Sequence, residues 1–525
     1  MAEQAKIQST KVTIIRNDAF VQTADNLKPT LFNNAITPTQ LINVQSDSTA
    51  MHNWRTVHEA DIAALDNRAF GKGESVIIDF GDHQVGYVSF DIKPVGSPPD
   101  APLKLKLTFG EMPVEMAEPF SSYNGWISSS WLQEETLIVD VLPRHVELPR
   151  RYSFRYLKIE VIDTSPKYRV SFLNMTCNTV TSADIDNAIQ LNHSDPLLQE
   201  IDRVSIKTLA DCMQDVFEDG PKRDRRLWLG DLRLQALANY PTFQSNDLVK
   251  RCLYLFASVP DERGAIAANL FIEPHLIADD TYLFDYSLFF TVTLYDYYLA
   301  THDEATLKEL WPTAMRQVEL ALERLDHRGI VKDEDTWWSF IDWHEQLNKQ
   351  APSQAVLIYT LRRAIHLSKA VGCKQSVDFE QRLIDIEKAT VECLWDADQG
   401  FFVSGDQRQV SWATQIWMAL AEVLPEDNNK ALMLRLLSVK PEVGPTTPYM
   451  YHHLVEALLV VGCRDEAIEH LKTYWGGMLS DGADTFWELY DPQNKDFSPY
   501  GSHLINSYCH AWSCTPTYLI RHYDL

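Results

Sequence analysis

The first third of the chain consists of short runs in which apolar and polar residues partly alternate. Six runs rich in β-branched and aromatic residues stand between turn signals: SVIIDFG, VGYVSFDIKPV, LKLKLTFGE, ETLIVDVL, RYLKIEVID and YRVSFLNMTC. This pattern is typical of an antiparallel sandwich in which each strand buries one face. We therefore predict an N-terminal β-sandwich domain over residues 1–183. Its first 60 or so residues have a weaker pattern and are expected to form an irregular arm.

From about Asp184 onward, apolar positions recur with the period of a helix. About a dozen amphipathic segments follow one another, from DPLLQEIDRVSIKTLADCMQDVF at 195–217 to HLINSYCHAWSCTPTYLI at 503–520. No heptad pattern persists and no fixed-length motif repeats, which argues against a coiled coil and against a solenoid. Six helical hairpins in a ring require about twelve helices. Residues 184–525 are therefore predicted to form an (α/α)6 barrel.

Charge and composition exclude several classes of partner. The net charge of −26 makes nucleic acids and anionic membranes unfavourable, because both are polyanions. The N-terminus has no secretory signal pattern, and no apolar run reaches the roughly 20 residues needed to span a bilayer. The eight cysteines show no CxxC spacing and are predicted to be reduced core thiols. These features predict a cytoplasmic protein without a nucleic-acid or membrane partner.

Motifs for cofactor chemistry do not occur in the sequence. There is no GxGxxG after a strand, no GxxxxGK(S/T) loop and no GxSxG elbow. Dinucleotide binding, P-loop chemistry and serine hydrolase chemistry are therefore disfavoured. We predict neither a metal nor a cofactor.

The segment DGPKRDRRLWLGD, from Asp219 to Asp231, carries three aspartates and four basic residues between two helical patterns. The helix before it is predicted to end at Gly220 and Pro221, because proline lacks an N–H and disfavours helix at the preceding residue. A solvated charged loop is one interpretation. The tryptophan and leucines among the charges indicate partial burial instead, and partly buried carboxylates often have the shifted pKa values of catalytic groups.

Four later connections combine acidic and aromatic residues: ADDTYLFDY, DEDTWWSFIDWHEQ, DGADTFWELYD and INSYCHAWS. Carboxylates bind sugar hydroxyls and tryptophans stack on the apolar face of a pyranose, so together they predict a carbohydrate pocket. For each connection alone, the alternative is an aspartate that caps a helix and a tryptophan that packs in the core. His510 fits a residue that binds the sugar or a core histidine equally well. The candidate residues in these connections are Asp285, Trp338, Asp342, Trp343, Trp487, Glu488 and His510.

An aromatic loop in the β half, SSYNGWISSSW, contains Trp126 and Trp131. Such a loop seals an interface or reaches a neighbouring site. The interface is the favoured interpretation from the sequence.

Two carboxylates facing each other across a pocket would support glycoside hydrolysis. One donates a proton to the leaving oxygen, and the other activates water or attacks directly. Asp224 lies among arginines that depress a carboxyl pKa, whereas burial or a neighbouring Asp219 or Asp231 would raise it, and the sequence leaves this balance open. Glu488 follows an aromatic pair, and such a partly apolar setting is expected to raise its pKa.

The order of these features resembles glycoside hydrolase family 78, the α-L-rhamnosidases. The resemblance covers nearly the whole chain and rests on four stretches: Asp219–Asp231, TFWE at 485–488, IIDFGDHQVGYVSF at 77–90 and FRYLKI at 154–159. The last two are similar to the family's N-terminal β domain. The resemblance implies a compact member that removes terminal, non-reducing α-L-rhamnose from small rhamnosides, either plant glycosides or oligosaccharides.

The resemblance also implies residue roles. Asp224 matches the general acid and Glu488 the catalytic base, while Trp228 matches a tryptophan of the sugar pocket. Asp219 and Asp231 match the flanking aspartates that hold the rhamnose hydroxyls. The predicted substrate-binding residues are Asp219, Arg223, Trp228, Asp231, Asp285, Trp338, Asp342, Trp343, Trp487 and His510.

Other positions match the family less closely. IDW at 341–343 resembles a pocket Gly-Asp-Trp, and His510 resembles a late pocket histidine. The acid is usually glutamate, and Asp224 is one methylene shorter. Gly220 stands where cysteine is common, and Leu227 replaces a glycine. These departures concern the placement of the acid and the aglycone preference more than the reaction type.

The resulting hypothesis is an inverting α-L-rhamnosidase in which Asp224 protonates the glycosidic oxygen and Glu488 deprotonates a water on the opposite face. Inversion predicts carboxyl groups roughly 6.5–9.5 Å apart, against about 5–5.5 Å for retention. One alternative is another enzyme on the same barrel, such as a glycosidase for a different sugar or a polysaccharide lyase. Another is a non-catalytic carbohydrate-binding relative that has lost its acid. A symmetric homodimer would be an ordinary assembly.

Overall fold

The N-terminal part of the chain forms an antiparallel sheet of nine strands. The computed structural model describes residues 12–333, 337–372 and 376–525. In chain order, the elements of this part are α1 (Asp18–Asn26), β1 (Phe32–Ile36), β2 (Gln40–Ser46), β3 (Trp54–Asp61), β4 (Ser75–Gly96), β5 (Leu103–Gly110), α2 (Pro113–Ala117), β6 (Glu134–Val139), β7 (Arg144–Glu147), β8 (Tyr152–Asp163) and β9 (Tyr168–Thr181). The strand order is β1-β9-β4-β8-β5-β6, while β2 and β7 pair with β4 and β3 pairs with β2.

Strand β4 organises this domain because it pairs with β2, β7, β8 and β9. A register shift between Asp79 and Gln84 divides its ladder with β8. Ile78, Val88 and Phe90 of β4 are buried in one core with side chains of β5, β8 and β9. This alternation is what a side-chain period of two gives when one face is covered. The predicted strands SVIIDFG and VGYVSFDIKPV are therefore two parts of one strand, and all nine strands belong to one hydrogen-bonded sheet.

The rest of the described chain is helical apart from short β pairings. Its elements are α3 (Pro196–Cys212), β10 (Leu227–Trp228), α4 (Leu229–Asn239), α5 (Asn246–Ala257), β11 (Asn269–Phe271), β12 (Ile277–Ala278), α6 (Phe284–Thr301), α7 (Glu304–Glu323), α8 (Gln350–Ala370), α9 (Ser376–Leu394), β13 (Trp395–Asp396), β14 (Phe401–Phe402), α10 (Trp412–Leu420), α11 (Glu426–Val439), α12 (Pro448–Val460), α13 (Arg464–Ser480) and α14 (Pro516–His522).

Twelve helices in this part of the described chain, α3 to α14, form two concentric rings. Each inner helix contacts the next in the order α4, α6, α8, α10, α12 and α14, and α14 closes the ring onto α4. The remaining helices, α3, α5, α7, α9, α11 and α13, pack on the outside of this ring. The predicted fold class, an N-terminal β-sandwich followed by an (α/α)6 barrel of six helical hairpins, is confirmed as an antiparallel β-sheet domain followed by this helical barrel.

Burial follows the position of each helix in the rings. Every residue of α4 and α10 is buried, whereas α11 and α13 bury only a few residues each. A helix enclosed by neighbours needs no polar face, while an outer helix needs one apolar stripe. Capping residues set several starts: Asp195 and Thr447 accept hydrogen bonds from first-turn amides of α3 and α12, and a proline follows each of them.

Two connections differ from their predicted helical form. Helix α3 ends at Cys212, so residues up to Phe217 that were expected to be helical belong to the connection before α4. The segment 503–520 is not one helix, because α14 begins only at Pro516 and two short 3-10 turns precede it. The backbone here pairs across the chain instead: His510 N donates to Phe486 O over 2.9 Å.

Four further expectations concern the first 60 residues, the cysteines, membrane-spanning helices and the domain boundary. The first 60 residues, expected to be an irregular arm, contain α1 and β1–β3 in their described part, and α1 packs on α5. Seven cysteines lie within the described residues and all are free, while Cys373 lies outside them. Among the described residues, no helix is both long and apolar enough to cross a membrane. Strand β9 ends at Thr181 and α3 begins at Pro196, and the domain boundary at 183–184 stays a prediction.

Candidate active site

The segment between α3 and α4 is a closed loop. Asp219 N donates to Arg226 O over 3.0 Å, and Asp219 Oδ1 accepts from Arg226 N over 2.9 Å. Ala511 N donates to Asp219 O over 2.7 Å, which joins this loop to the late part of the chain. Asp224 and Arg225 have left-handed φ values of 62° and 53°, a conformation that aspartate tolerates better than most residues. The side chain of Asp224 is 26% exposed, so the loop presents this carboxylate toward solvent.

Glu488 lies on the irregular stretch between α13 and α14. Its backbone N–H donates to Ser507 O over 3.0 Å, so the two halves of this stretch run side by side. The carboxylate is 3% exposed. It accepts hydrogen bonds from Arg223 Nη2, from Tyr500 Oη over 2.6 Å and from Ser507 N over 3.3 Å. Folding therefore holds this carboxylate in a dry setting between a cation and two neutral donors.

The pKa of Glu488 lies below its usual range. Burial alone would raise this pKa, but the Arg223 guanidinium, His510 and the Tyr500 hydroxyl together outweigh burial. The expectation of a raised pKa is therefore wrong. It rested on the aromatic neighbours of Glu488 in the sequence, whereas the arginine comes from 265 residues earlier in the chain.

Asp224 and Glu488 lie on either side of one guanidinium. Arg223 Nη1 is 3.9 Å from Asp224 Oδ1, while its Nη2 contacts Glu488. The guanidinium is fixed by Nε, which donates to Ile505 O over 3.0 Å, and by the ring of Tyr500, whose centre is 4.3 Å from the guanidinium carbon. The site thus has one buried carboxyl group with a lowered pKa and one partly exposed carboxyl group, with a cation between them.

Asp219 and Asp231 are buried carboxyl groups with raised pKa values. Burial is the main cause for both. Repulsion by Asp224 and Asp231 raises the pKa of Asp219 further, whereas His510 partly opposes the rise for Asp231. A carboxyl group that is readily protonated both donates and accepts hydrogen bonds. The pair is therefore suited to a ligand with hydroxyl groups.

Polar atoms of three predicted residues are buried without a hydrogen-bond partner among the described residues. These atoms are Asp231 Oδ1, both ring nitrogens of His510 and Trp343 Nε1. His510 Nε2 lies 3.2 Å from Asp231 Oδ1, but the pair lacks the alignment of a hydrogen bond. Because buried polar groups are nearly always paired, such a cluster indicates a place where a ligand or water supplies the partners. A sugar ring carries donors and acceptors of the required kind.

Aromatic rings form a continuous wall that connects several predicted residues. Successive ring centres are 6.2 Å apart for Trp228–Tyr286, 5.9 Å for Tyr286–Phe340, 5.4 Å for Phe340–Trp343 and 6.2 Å for Trp343–Tyr500. Trp512 stacks on Phe340, and its ring centre is 4.5 Å from that of His510. Flat apolar faces beside a few polar groups are typical of a small-molecule pocket and suit a pyranose.

Asp285 and Asp342 hold loops in place. Asp285 accepts from the backbone amides of the 340–341 turn over 3.0 and 2.9 Å. Asp342 accepts from the backbone and hydroxyls of the 446–447 turn over 2.7–2.9 Å. Burial raises the pKa of both carboxyl groups. Because protein donors occupy these carboxylates, both residues fix the turns that they contact.

Two predicted tryptophans are placed differently from the aromatic wall. The ring of Trp487 is 1% exposed and packs edge-on against Tyr490 and Tyr508, so it lies in the core. Trp338 is half-buried beside Lys349, whose Nζ is 5.4 Å from its ring centre. Acidic neighbours in the sequence do not distinguish a core tryptophan from a pocket tryptophan.

Tyr500 and Ser507 contact Glu488, and the sequence did not predict either residue. Tyr500 stands in the stretch SPYG at 498–501, whose proline and glycine indicate only a turn. Ser507 acts through its backbone N–H, which carries no side-chain signal. Only the folded arrangement brings both residues to the carboxylate.

Buried charges from the β domain support the loop beside the pocket. Lys222 Nζ donates to Glu115 Oε1 over 2.6 Å and to Asn506 O over 2.9 Å, and it lies 3.7 Å from Glu111 Oε2. Glu111 Oε2 also accepts from Tyr508 N over 2.7 Å. The residue after this lysine is the arginine between the two carboxylates. Acidic residues of the β domain therefore fix both chain segments that form the site.

Two clusters among the described residues have the residue types of a metal site. They are His83–Asp211–Cys509 and His52–Asp496–His503. In the first, His83 Nδ1 is 2.7 Å from Asp211 Oδ2, and the Lys207 ammonium donates to the same carboxylate oxygen, so a cation already occupies this position. In the second, the imidazole rings stack with centres 4.6 Å apart and planes 24° apart, so their in-plane lone pairs do not converge. Hydrogen bonding and stacking account for both clusters.

Two protein-family models match the chain. Residues 38–179 match the model described as the glycosyl hydrolase family 78 alpha-rhamnosidase N-terminal domain. Residues 186–523 match the model described as the bacterial alpha-L-rhamnosidase 6 hairpin glycosidase domain. No curated protein sequence matches the chain.

Solved structures of similar fold cover most of the chain. A rhamnosidase from Klebsiella oxytoca with rhamnose bound is 54% identical, with a TM-score of 0.97, and the match covers 98% of this chain and 100% of that one. A family 78 rhamnosidase of Bacillus sp. GL1 is 23% identical, with a TM-score of 0.74, over 89% of this chain and 49% of that one. An alpha-L-rhamnosidase from Dictyoglumus thermophilum is 17% identical, with a TM-score of 0.68, over 94% and 52%. The last two show a shared fold.

The contacts of Asp285 predict a structural role that can be measured without an activity assay. In Asp285→Asn, an amide NH2 replaces one acceptor oxygen opposite a backbone N–H of the 340–341 turn. We expect the free energy of unfolding to fall by about 1–3 kcal/mol, as for a buried donor left unpaired. Urea unfolding followed by tryptophan fluorescence measures this change. Asp224→Asn is the matched control, with an expected change within about 0.5 kcal/mol because Asp224 is partly exposed and asparagine tolerates its left-handed φ. Equal losses in the two variants would contradict the assignment.

Proposed function

Since the chain belongs to glycoside hydrolase family 78, we propose that it is an α-L-rhamnosidase that removes terminal, non-reducing α-L-rhamnose by an inverting acid/base mechanism. The observation that carries this proposal is the pair Asp224 and Glu488 on either side of the Arg223 guanidinium. The unpaired polar atoms of Asp231, His510 and Trp343 lie on the residues proposed to bind the sugar. The substrate is a small rhamnoside, either a plant glycoside or an oligosaccharide.

Glu488 is proposed as the general base. Its lowered pKa keeps it ionised near neutral pH, which is the state needed to accept a proton from water. The Tyr500 hydroxyl and Ser507 N–H orient the two carboxylate oxygens. Arg223 stabilises the negative charge before the proton moves. Because a guanidinium separates this carboxylate from Asp224, the two are not in direct contact, and the arrangement is compatible with a water between the base and the sugar.

Asp224 is proposed as the general acid. It is the most exposed of the carboxylates in this loop that face the site, and a leaving group must depart through the solvent-facing side. The backbone of Asp224 has a left-handed φ of 62°. Its side chain is one methylene shorter than that of the glutamate usual at this position. The neighbouring Asp219 and Asp231 are proposed to hold rhamnose hydroxyls, with His510, Trp228 and the wall residue Trp343 completing the pocket.

Expectations about cofactors, location, assembly and four further binding residues are also proposals. The reaction as written needs only carboxyl groups and water, so no metal or cofactor is part of it. A cytoplasmic location and a symmetric homodimer, both expected from the sequence, stay predictions. Substrate binding also stays a prediction for four residues, whose packing favours supporting roles: Asp285, Trp338, Asp342 and Trp487.

The acid and the base should respond differently to the leaving group. In Asp224→Asn, kcat/KM for an alkyl or sugar rhamnoside should fall by about 10²–10⁴-fold, because its leaving oxygen needs a proton. The nitrophenyl rhamnoside should be affected much less, because its leaving group needs little protonation. Glu488→Gln is the matched control and should lose activity on both substrates. Full activity of Asp224→Asn on the alkyl rhamnoside would refute the acid assignment, and a wild type inactive on every rhamnoside would favour a non-catalytic binding protein.

Inversion predicts which anomer of the product forms first. Hydrolysis of an α-L-rhamnoside should release β-L-rhamnose, because water attacks the face opposite the leaving group. Proton NMR at early times, before mutarotation, distinguishes the two anomers. Initial release of α-L-rhamnose would show retention and would make Glu488 a nucleophile.

Arg223 should control the pH dependence of the base. Glu488 must be deprotonated to act, so its pKa sets the acid limb of the kcat/KM profile. Loss of the cation in Arg223→Gln raises this pKa and moves the acid limb to higher pH. Arg226→Gln is the control, because Arg226 Nη1 faces Asp279 over 3.7 Å, and it should leave the limb in place. An unmoved limb in Arg223→Gln would contradict the role of the guanidinium.

A further inference from the structure

A loop of the β domain reaches the same site from outside the helical barrel. Trp126 N donates to Tyr500 O over 3.1 Å, and Trp126 Nε1 donates to Pro499 O over 2.8 Å. A Cβ added to Gly125 would lie 2.5 Å from Tyr500 O, so only glycine permits this approach of the two backbones. The loop therefore forms the interface that was predicted for it. The contacts are made by the backbone N–H and the indole N–H of Trp126.

These hydrogen bonds leave much of the Trp126 side chain open to solvent. Of the 14 tryptophans, all within the described residues, Trp126 alone is exposed, with 47% of its surface open to solvent. Single exposed apolar residues are common and need no explanation by themselves. Here, however, hydrogen bonds from both the backbone and the indole nitrogen fix the residue, so a flat apolar face is held rigidly at the surface.

This face lies beside the proposed catalytic residues. The rings of Trp126 and Tyr500 have centres 5.8 Å apart, and Tyr500 donates to Glu488 over 2.6 Å. Tyr500 also covers the Arg223 guanidinium, whose Nη1 is 3.9 Å from Asp224. Trp126, Tyr500, Arg223 and Asp224 thus form a continuous strip from the solvent-facing indole to the partly exposed acid. Since an acid protonates the leaving oxygen, the leaving group of a substrate would lie beside Asp224, at the inner end of this strip.

We propose that the indole of Trp126 is a stacking platform for the leaving group of the substrate. The ring that stacks on it is either an aryl aglycone or the apolar face of a second sugar. The proposal rests on the proposed function and adds a specificity-determining residue from the β domain. In this arrangement the second ring of a substrate lies over the indole while rhamnose occupies the proposed pocket. The rigid indole loses little conformational entropy on stacking, which favours its use as a contact surface.

The test compares two aryl leaving groups of similar acidity but different ring area, phenyl and naphthyl, and adds a sugar leaving group. Phenyl and naphthyl α-L-rhamnosides and a rhamnosyl-glucose disaccharide are hydrolysed by wild type, Trp126→Ala and Trp126→Phe. In Trp126→Ala, kcat/KM for the naphthyl rhamnoside should fall by about 3- to 10-fold, while that for the phenyl rhamnoside should fall less, by about 2- to 3-fold, because one ring covers less of the indole than two. Trp126→Phe, which keeps an aromatic face without the indole N–H, should restore much of the naphthyl activity. A loss on the disaccharide as well would identify the platform as general for rings, and a loss on naphthyl alone would identify an aryl aglycone.

Inhibition by free L-rhamnose separates this role from a structural one. L-Rhamnose fills only the sugar pocket, so its inhibition constant should be the same in wild type and Trp126→Ala. Weaker inhibition, or equal losses on phenyl and naphthyl rhamnosides, would show that Trp126 acts through Tyr500 and would overturn the platform. A wild type that is active on all three substrates, with unchanged ratios in the variants, would overturn the platform alone. A wild type inactive on all three would overturn the proposed function and the platform with it.

Discussion

The ion pair between Arg223 and Glu488 is the interaction on which the arrangement of the site depends. Both side chains are almost fully buried, and an isolated charge in that setting would be costly, so each residue requires the other. The pair joins the loop before α4 to the irregular stretch before α14, two segments that no regular secondary structure connects. It also fixes the chemistry, because the same cation lowers the pKa of the carboxylate and separates it from Asp224.

The β domain is part of this arrangement. Glu115 and Glu111 compensate the buried ammonium of Lys222, and Glu111 also accepts from the backbone of the late stretch. Without these acidic residues, a lysine that is 1% exposed would be left without a compensating charge. The domain interface therefore supports the loop that carries the proposed acid. The approach of the β-domain loop to Tyr500 through Gly125 adds a second contact at the rim of the same site.

Shifted pKa values alone do not separate the residues proposed to bind the sugar from those that hold loops in place. Burial raises the pKa of Asp231 and of Asp285 alike. The difference lies in their partners: Asp285 accepts two backbone N–H groups, whereas Asp231 Oδ1 has no hydrogen-bond partner among the described residues. An unpaired buried atom leaves a free energy cost that a ligand can relieve, and a saturated carboxylate does not.

The sequence by itself determined the two-domain order, the helical ring and the break between helices that contains Gly220 and Pro221, because side-chain periodicity and Gly-Pro breaks act locally. It did not determine the irregular form of 503–515. The apolar pattern of this segment predicts a helix, but its backbone pairs with residues far away in the chain. It also led to the wrong direction for the pKa of Glu488, did not show that Trp487 packs in the core and did not reveal Tyr500. These properties depend on which distant groups meet at one point. Contacts such as that of Arg223 with Glu488 across 265 positions exist only once the tertiary structure has formed.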